Sequence, residues 1–393
     1  MSEIKVNSIK GVGASTAAIT VNNSDGTCTA NITNNLSNRR LTINGDMRIA
    51  QRGTSSNTAG YQTVDRFRTQ INNGTLTQSQ QNLATSDTPY TLGFRKYMRI
   101  LNQSGIGAAT NQYAQIDHKV EAQDLANSGW NFTSNTSKIT LSFWVRASVT
   151  AKYFGWLMTN DGTVRNHPFV ISDSNGSGTN LTADTWTKIT KTFTGDSGIT
   201  INNDNGIGFQ ISFVAYYGTD FTNDSVSTTS WNTFTSGGYS PDFPSTTWAT
   251  TTNATFDITG VQLEVGSVAT DFEHRSFAQE LTLCQRYFTK TYNQDVYAGT
   301  ATYAGAFTQR SSVSTAAGHI PLELPVLMRA TPTVYFYGTT SATNAVGKLR
   351  GSGDAVITAN LNNTTSSRII GINYSPNQNY SYVSGHYTAE AEL

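Results

Sequence analysis

The sequence predicts an all-β protein built around a jelly-roll sandwich, on three observations. Apolar and polar residues alternate at period two over many short runs, as in Ile139, Leu141, Phe143 and Val145 against Thr140, Ser142, Trp144 and Arg146. Turn clusters such as the Asn-Asp-Gly at 160–162 and the Asn- and Asp-rich stretch at 202–206 punctuate these runs. Only one stretch, after Ser276, carries a sustained helical period. Many short strands with regular turns make an antiparallel sandwich.

In order along the chain, residues 1–40 come first and are a different material. Short alternating pairs (Ile4 and Val6, Ile19 and Val21) are broken by Gly and Asn, with too few large apolar residues for a core. Composition alone fits a flexible tail. The Thr and Val content and the absence of proline favour an extended arm that becomes ordered by pairing with symmetry mates or a docking partner. Residues 41–275 hold the jelly-roll strands, among them Ala114–Val120 and Phe209–Tyr216, with a long aromatic-containing surface loop at 219–250. In that region Phe256 and Ile258 fall out of phase with Val261, Leu263 and Val265 across Gly260, which predicts a β-bulge. Ser276 and Gln279 form a capping box, and Phe277, Leu281, Cys284 and Phe288 then share one helical face. Residues 276–393 are read as this short linking helix followed by a smaller C-terminal β-sandwich. Its strands are expected at 296–307, 320–338, 355–359, 369–374 and 380–393, with Pro325 and Pro332 at strand ends.

Composition narrows the function. The 393 residues carry 26 basic and 26 acidic side chains, so no basic field attracts nucleic acid. Charged residues are 13%, against roughly 25% in ordinary soluble domains. Asn, Thr, Ser and Gly replace them, as in many extracellular and virion surfaces. Cys28 and Cys284 give no disulfide framework. No apolar signal core and no run of about 18 apolar residues is seen, so neither secretion nor membrane insertion is expected.

Enzyme signatures are scarce. The sequence has no GxSxG elbow, HExxH or P-loop, and its five histidines lie at no metal-binding spacing. Asp117, Glu121 and Asp124 could in principle pair as glycosidase acids, but read better as solvated or turn-capping carboxylates. No catalytic residue is assigned and no cofactor is expected. The oxygen-rich loops at 161–162, 173–176 and 202–206 lack EF-hand spacing and read as turns. Sugar binding carries more weight, because carbohydrates combine polar edges with C–H patches that suit flat aromatics beside amides, carboxylates and guanidinium groups. Trp144, Arg146 and Tyr216 lie on the polar phase of their strands. If that phase faces solvent, they line one broad face together with Trp186 and His118. The competing reading is packing, with Trp144 and Trp186 filling space between sheets or subunits.

Several segments in order along the chain carry a resemblance. Residues 260–288, GVQLEVGSVATDFEHRSFAQELTLCQRYF, resemble the close of the jelly-roll module in bacteriophage tail-fibre-like and other virion structural proteins. NGDMRIAQRGTS at 44–55, with YQTVDRF at 61–67, resembles its opening, and TLSFWVRAS at 140–148 and TWTKITKTF at 185–193 fall between in matching order. The module also resembles carbohydrate-binding jelly rolls attached to glycoside hydrolases. The resemblance implies a non-enzymatic virion protein, assembled in the host cytoplasm and released by lysis. It implies a homotrimeric tail fibre, joined to other tail, collar or capsid proteins by its arm and directed at a host surface glycan. It also implies that Asp257 stands near a structural Ca²⁺ position. The alternatives are a capsid decoration, cement or collar protein without a receptor role, and a polysaccharide-degrading spike.

Overall fold

The computed structural model describes residues 39–393 apart from 73, 174–178, 311–317, 342–346, 352–354 and 375–381, together with 7–10, 12, 19–21 and 28–30. The protein is all-β. In the N-terminal stretch, β1 (Ser8–Ile9), β2 (Ile19–Val21) and β3 (Cys28–Ala30) pair in sequence as a small antiparallel meander. Within the chain these three strands pair with one another. None of the described side chains from residue 7 to residue 21 is buried, consistent with the shortage of large apolar residues there.

The centre of the chain is two six-stranded antiparallel sheets packed face to face. The first runs β14 (Asn232–Thr233), β11 (Arg165–Ile171), β10 (Tyr153–Thr159), β13 (Ile207–Tyr217), β8 (Tyr113–Glu121), β5 (Phe67–Asn72). The second runs β12 (Thr187–Thr194), β9 (Lys138–Ala147), β15 (Ala254–Val265), β7 (Lys96–Asn102), β6 (Leu76–Asn82), β4 (Ser55–Ser56). Inward residues of both sheets share one core, and Phe143 of β9 meets Phe213 of β13 edge to face at 4.7 Å. The pairing of β15 with β9 slips between Thr259 and Gln262, so the bulge falls where the phase change predicts it. Gly260 sits there at φ +63°, and a Cβ would come within 2.9 Å of the Phe94 ring and 3.1 Å of Trp144.

The helix spans Phe277–Gln285, and the reciprocal Ser276–Gln279 cap is present. Its buried face keeps Cys284 and the partly buried Leu281 of the predicted stripe, but adds Glu280 and turns Phe277 out. Phe277 is 49% exposed and Phe288 begins a strand, while Glu280 and Cys284 point inward. The reason is ionic. Glu280 accepts from the Arg40 guanidinium and from the Asn44 backbone N–H, and all of these groups are buried. Cys284 and Tyr287 then pack on Ile43 and Ile49, which seats the helix against the start of the central sandwich. Cys284 is a free thiol.

After the helix, β16 (Phe288–Lys290), β17 (Phe307–Arg310), β18 (Gly318–Glu323), β19 (Thr333–Tyr337), β20 (Lys348–Gly351), β21 (Val356–Leu361), β22 (Ile369–Tyr374) and β23 (Tyr382–Glu390) form one curled sheet. Strand β23 is its hub: residues 386–390 lie between β16 and β19, and 382–385 between β17 and β20. The sheet closes on its own core around Ile320, Phe336, Ile370 and Val383. Pro325 and Pro332 fall just outside β18 and β19. Of the strand expected at 296–307, residues 296–306 form turns and coil, and only Phe307 begins a strand.

Buried ion pairs tie this second unit to the first. Arg286 binds Glu121 at 2.7 Å, and the Tyr287 hydroxyl donates to the same carboxylate. Glu392 accepts from Arg66 and lies 3.1 Å from Arg52, and the Lys119 ammonium donates to the Leu393 carbonyl at 2.7 Å. No helix among the described residues is long and apolar enough to cross a membrane.

Candidate functional site

The site is built on the outer face of the first sheet. Register places its residues in rows, because strand side chains alternate between faces. Arg68 of β5 lies opposite Asp117 of β8, Asp117 opposite Ser212 of β13, and Ser212 opposite Trp156 of β10. One row on, Gln70 lies opposite Gln115; in the other direction Lys119, Gln210 and Met158 line up. A second register shift, between Val214 and Tyr216, then turns Tyr216 inward and Tyr217 outward. The loop after β13 folds over this end of the sheet. Its Phe221 ring lies 5.0 Å from Tyr113, and its Tyr239 ring 5.4 Å from Trp156.

Between sheet and loop is a pocket of about 300 Å³ lined by Arg68, Gln70, Tyr113, Gln115, Gln210 and Tyr217, with Trp156, Met158, Phe221 and Tyr239. Asp117 lies at its root, fully buried. It accepts from Arg68 at 3.2 Å, from Gln115 at 2.7 Å, from Gln70 and from Ser212. Trp156 donates its indole N–H to the Tyr217 hydroxyl at 3.0 Å, and that hydroxyl donates to Gln115. Burial raises the Tyr217 phenol well above its ordinary range, with the Asp117 charge adding to it, so the hydroxyl keeps its proton. The result is a wall of fixed amides with aromatic rings at its rim, a set suited to stacking on C–H patches and bonding hydroxyl groups.

The five residues expected to share one face are divided. Trp144, Arg146 and Trp186 do come together, but on the outer face of the second sheet. There the Arg146 guanidinium lies 4.6 Å from the Trp186 ring and 5.2 Å from Tyr97. This cluster is packed under Leu83, Phe94 and Phe272. Tyr216 is in the core of the sandwich, put there by the register shift at Val214, and its neighbour Tyr217 takes the outward position. His118 is buried on the inward phase of β8, 4.7 Å from the Phe67 ring, with Nε2 accepting from the Ile43 N–H. Burial, and then Arg66 and Arg40, hold its pKa well below the usual value, so it is neutral.

Asp257 is likewise corrected as a calcium position. Both of its oxygens are taken by Arg99 at 2.8 Å and one also by Arg146 at 2.9 Å, so two guanidinium charges stand where a cation would need to be. Among the described residues no group of three or more His, Cys, Asp or Glu side chains is arranged to hold a metal. Of the carboxylates considered as acids, Glu121 is buried, yet its bonds to Arg286 and Tyr287 hold it below the usual range. Asp124 is raised by burial and by the nearby Glu121 charge.

A wider cavity of about 900 Å³ lies beside the helix, lined by Arg39, Arg40, Leu41, Asp124, Arg275 and Leu283 among others. Its guanidinium groups are matched by Glu264, Glu280 and Glu273, and it forms the seam between helix and sandwich. The amide-lined pocket was hidden from pattern reading. Gln70 and Gln115 lie 45 residues apart and meet only through the pairing of β5 with β8, and no glycine marks the shift that turns Tyr217 to the outer face.

No protein-family model and no curated protein matches the sequence. Among solved structures, the chain is similar to the enzymatically active domain of the bacteriophage CBA120 tailspike protein 4, at 10% identity and TM-score 0.30. That match covers 58% of this chain and 21% of the tailspike chain, so it spans about a fifth of the latter. It is also similar to a family 11 carbohydrate-binding module from Clostridium thermocellum in complex with a β-1,3-1,4-mixed-linked tetrasaccharide, at 10% identity and TM-score 0.27, covering 56% of this chain and 98% of that one. A third similarity is to the N-terminal CBM22-1-CBM22-2 tandem domain of Paenibacillus barcinonensis Xyn10C, at 9% identity and TM-score 0.26, covering 88% and 90%.

Proposed function

We propose that this protein binds carbohydrate, without cleaving it, at the outer face of β5, β8, β13 and β10. We propose further that it serves as a fibre-like structural protein of a bacteriophage particle. The observation that carries the binding reading is the pocket itself, with its aromatic rim and its amides held in place by Asp117. A polyhydroxylated ligand finds C–H stacking surfaces and hydrogen-bonding groups together, at the lower end of the roughly 300–1,000 Å³ typical of ligand pockets. The virion reading is supported by the resemblance of residues 44–67 and 260–288 to phage structural modules. In this reading the N-terminal arm attaches the protein to the tail, collar or capsid, and trimerisation multiplies weak single-site contacts into avidity.

The binding reading is tested by native electrophoresis of the full chain through gels containing host-surface polysaccharides. Retardation is expected, with Gln210→Ala and Tyr239→Ala reducing it; both side chains are half-buried at the rim, so the fold tolerates them. Retardation unchanged by either substitution would remove the site. A reducing-sugar assay on the same polysaccharides is expected to show no new chain ends, and their appearance would favour the degrading spike. Sedimentation at micromolar concentration is expected to give a trimer, and a monomer would count against the fibre.

A further inference from the structure

We infer that the pocket selects a neutral glycan by the hydroxyl protons it donates, and discriminates against acidic polysaccharides; this inference rests on the carbohydrate reading above. The argument follows the direction of the hydrogen bonds. An ionised carboxylate only accepts, so every group bonded to Asp117 must turn a donor toward it. Gln70 and Gln115 therefore face Asp117 with their amide nitrogens. Ser212 spends its proton on Asp117 as well, so its oxygen can only accept, and it does so from the amide nitrogen of Gln210 at 3.4 Å. The carbonyl oxygen of Gln115 is filled by the Tyr217 hydroxyl.

What remains for a ligand is fixed by elimination. The carbonyl oxygens of Gln70 and Gln210 have no hydrogen-bond partner among the described residues, and both residues line the pocket. One buried negative charge thus sets the polarity of the whole wall: nitrogens inward, oxygens outward. Sugar hydroxyls donate to such oxygens. A carboxylate or sulfate group, which only accepts, meets oxygen against oxygen. Arg68 is the one cation in the lining, and its charge is met by Asp117. Its Nε–H, buried and without a partner, adds a donor for a ring or hydroxyl oxygen without leaving a net positive site.

The test uses the full chain in affinity gels with three probes: a neutral β-glucan, the same glucan O-methylated, and a polyuronate. Methylation keeps the acceptors and the C–H surface but removes the donated protons. The neutral glucan is expected to retard the protein and the other two to leave it unretarded. Gln210→Ala is expected to weaken retention on the neutral glucan by about 3–10-fold, the worth of one hydrogen bond. Equal retention on the methylated glucan, or retention on polyuronate that Gln210→Ala abolishes, would overturn the inference while leaving the carbohydrate reading intact. Retention on none of the probes, with none on host polysaccharide either, would overturn both.

Discussion

His118 shows how one buried side chain couples the fold to acidity. Burial first, and then the Arg66 and Arg40 charges, keep its folded-state pKa well below 6.5. In the unfolded chain it titrates at its ordinary value, so below about pH 6.5 the unfolded state binds a proton that the folded state does not. Stability is therefore complete above that pH and is lost as pH falls. Asp46 and Asp65, raised chiefly by burial, act in the opposite sense at the acid end. The informative comparison is thus between two slopes. The melting temperature is expected to drop from pH 7.5 to 5.5, and His118→Gln is expected to flatten that drop; parallel curves would remove His118 from the account. Gly260→Ala is a second case. Its φ of +63° and its contact with Phe94 make a loss of about 1–3 kcal/mol the expected result in urea denaturation. At this scale, Gly260 was legible because glycine and a phase change coincide. Tyr217 was not, because the shift beside Ala215 uses residues that any strand could hold.

Among the elements, the capped helix separates local from tertiary effects. Its cap was readable from Ser276 and Gln279 alone and its inward Cys284 from the apolar spacing, but its buried Glu280 was not. An apolar stripe was the natural reading of Phe277, Leu281 and Cys284, but a glutamate seats the helix. Glu280→Ala would strand the Arg40 guanidinium in a buried site, and a loss of about 3–5 kcal/mol is expected. Ser276→Ala is expected to cost about 1 kcal/mol, the usual worth of an N-cap. Phe277→Ala is expected to change stability by less than about 0.5 kcal/mol, since the ring is half exposed. Chemical denaturation of the three variants checks this order. A Phe277→Ala loss as large as that of Glu280→Ala would restore the apolar stripe.

For the whole molecule, two separate cores are joined by ion pairs and by the small apolar cluster of Ile43, Ile49, Cys284 and Tyr287. Ion pairs link the two β units where they meet: Arg40 with Glu280, Arg66 and Arg52 with Glu392, and Arg286 with Glu121. Alternation and turns made both β-rich units legible. The seam was illegible because its partners lie up to 340 residues apart and no periodicity links them. Calorimetry of the full chain is expected to show one cooperative transition, and Glu392→Gln is expected to split or broaden it by loosening the second unit first. Two well-separated transitions in the unaltered protein would mean that the seam does not couple the cores. The seam also sets a path for mechanical load. The chain leaves the arm at Arg39 and Arg40, which are clamped at once to Glu264 at the end of β15 and to Glu280 on the helix. A pull from upstream would thus be carried into both β units at their common root.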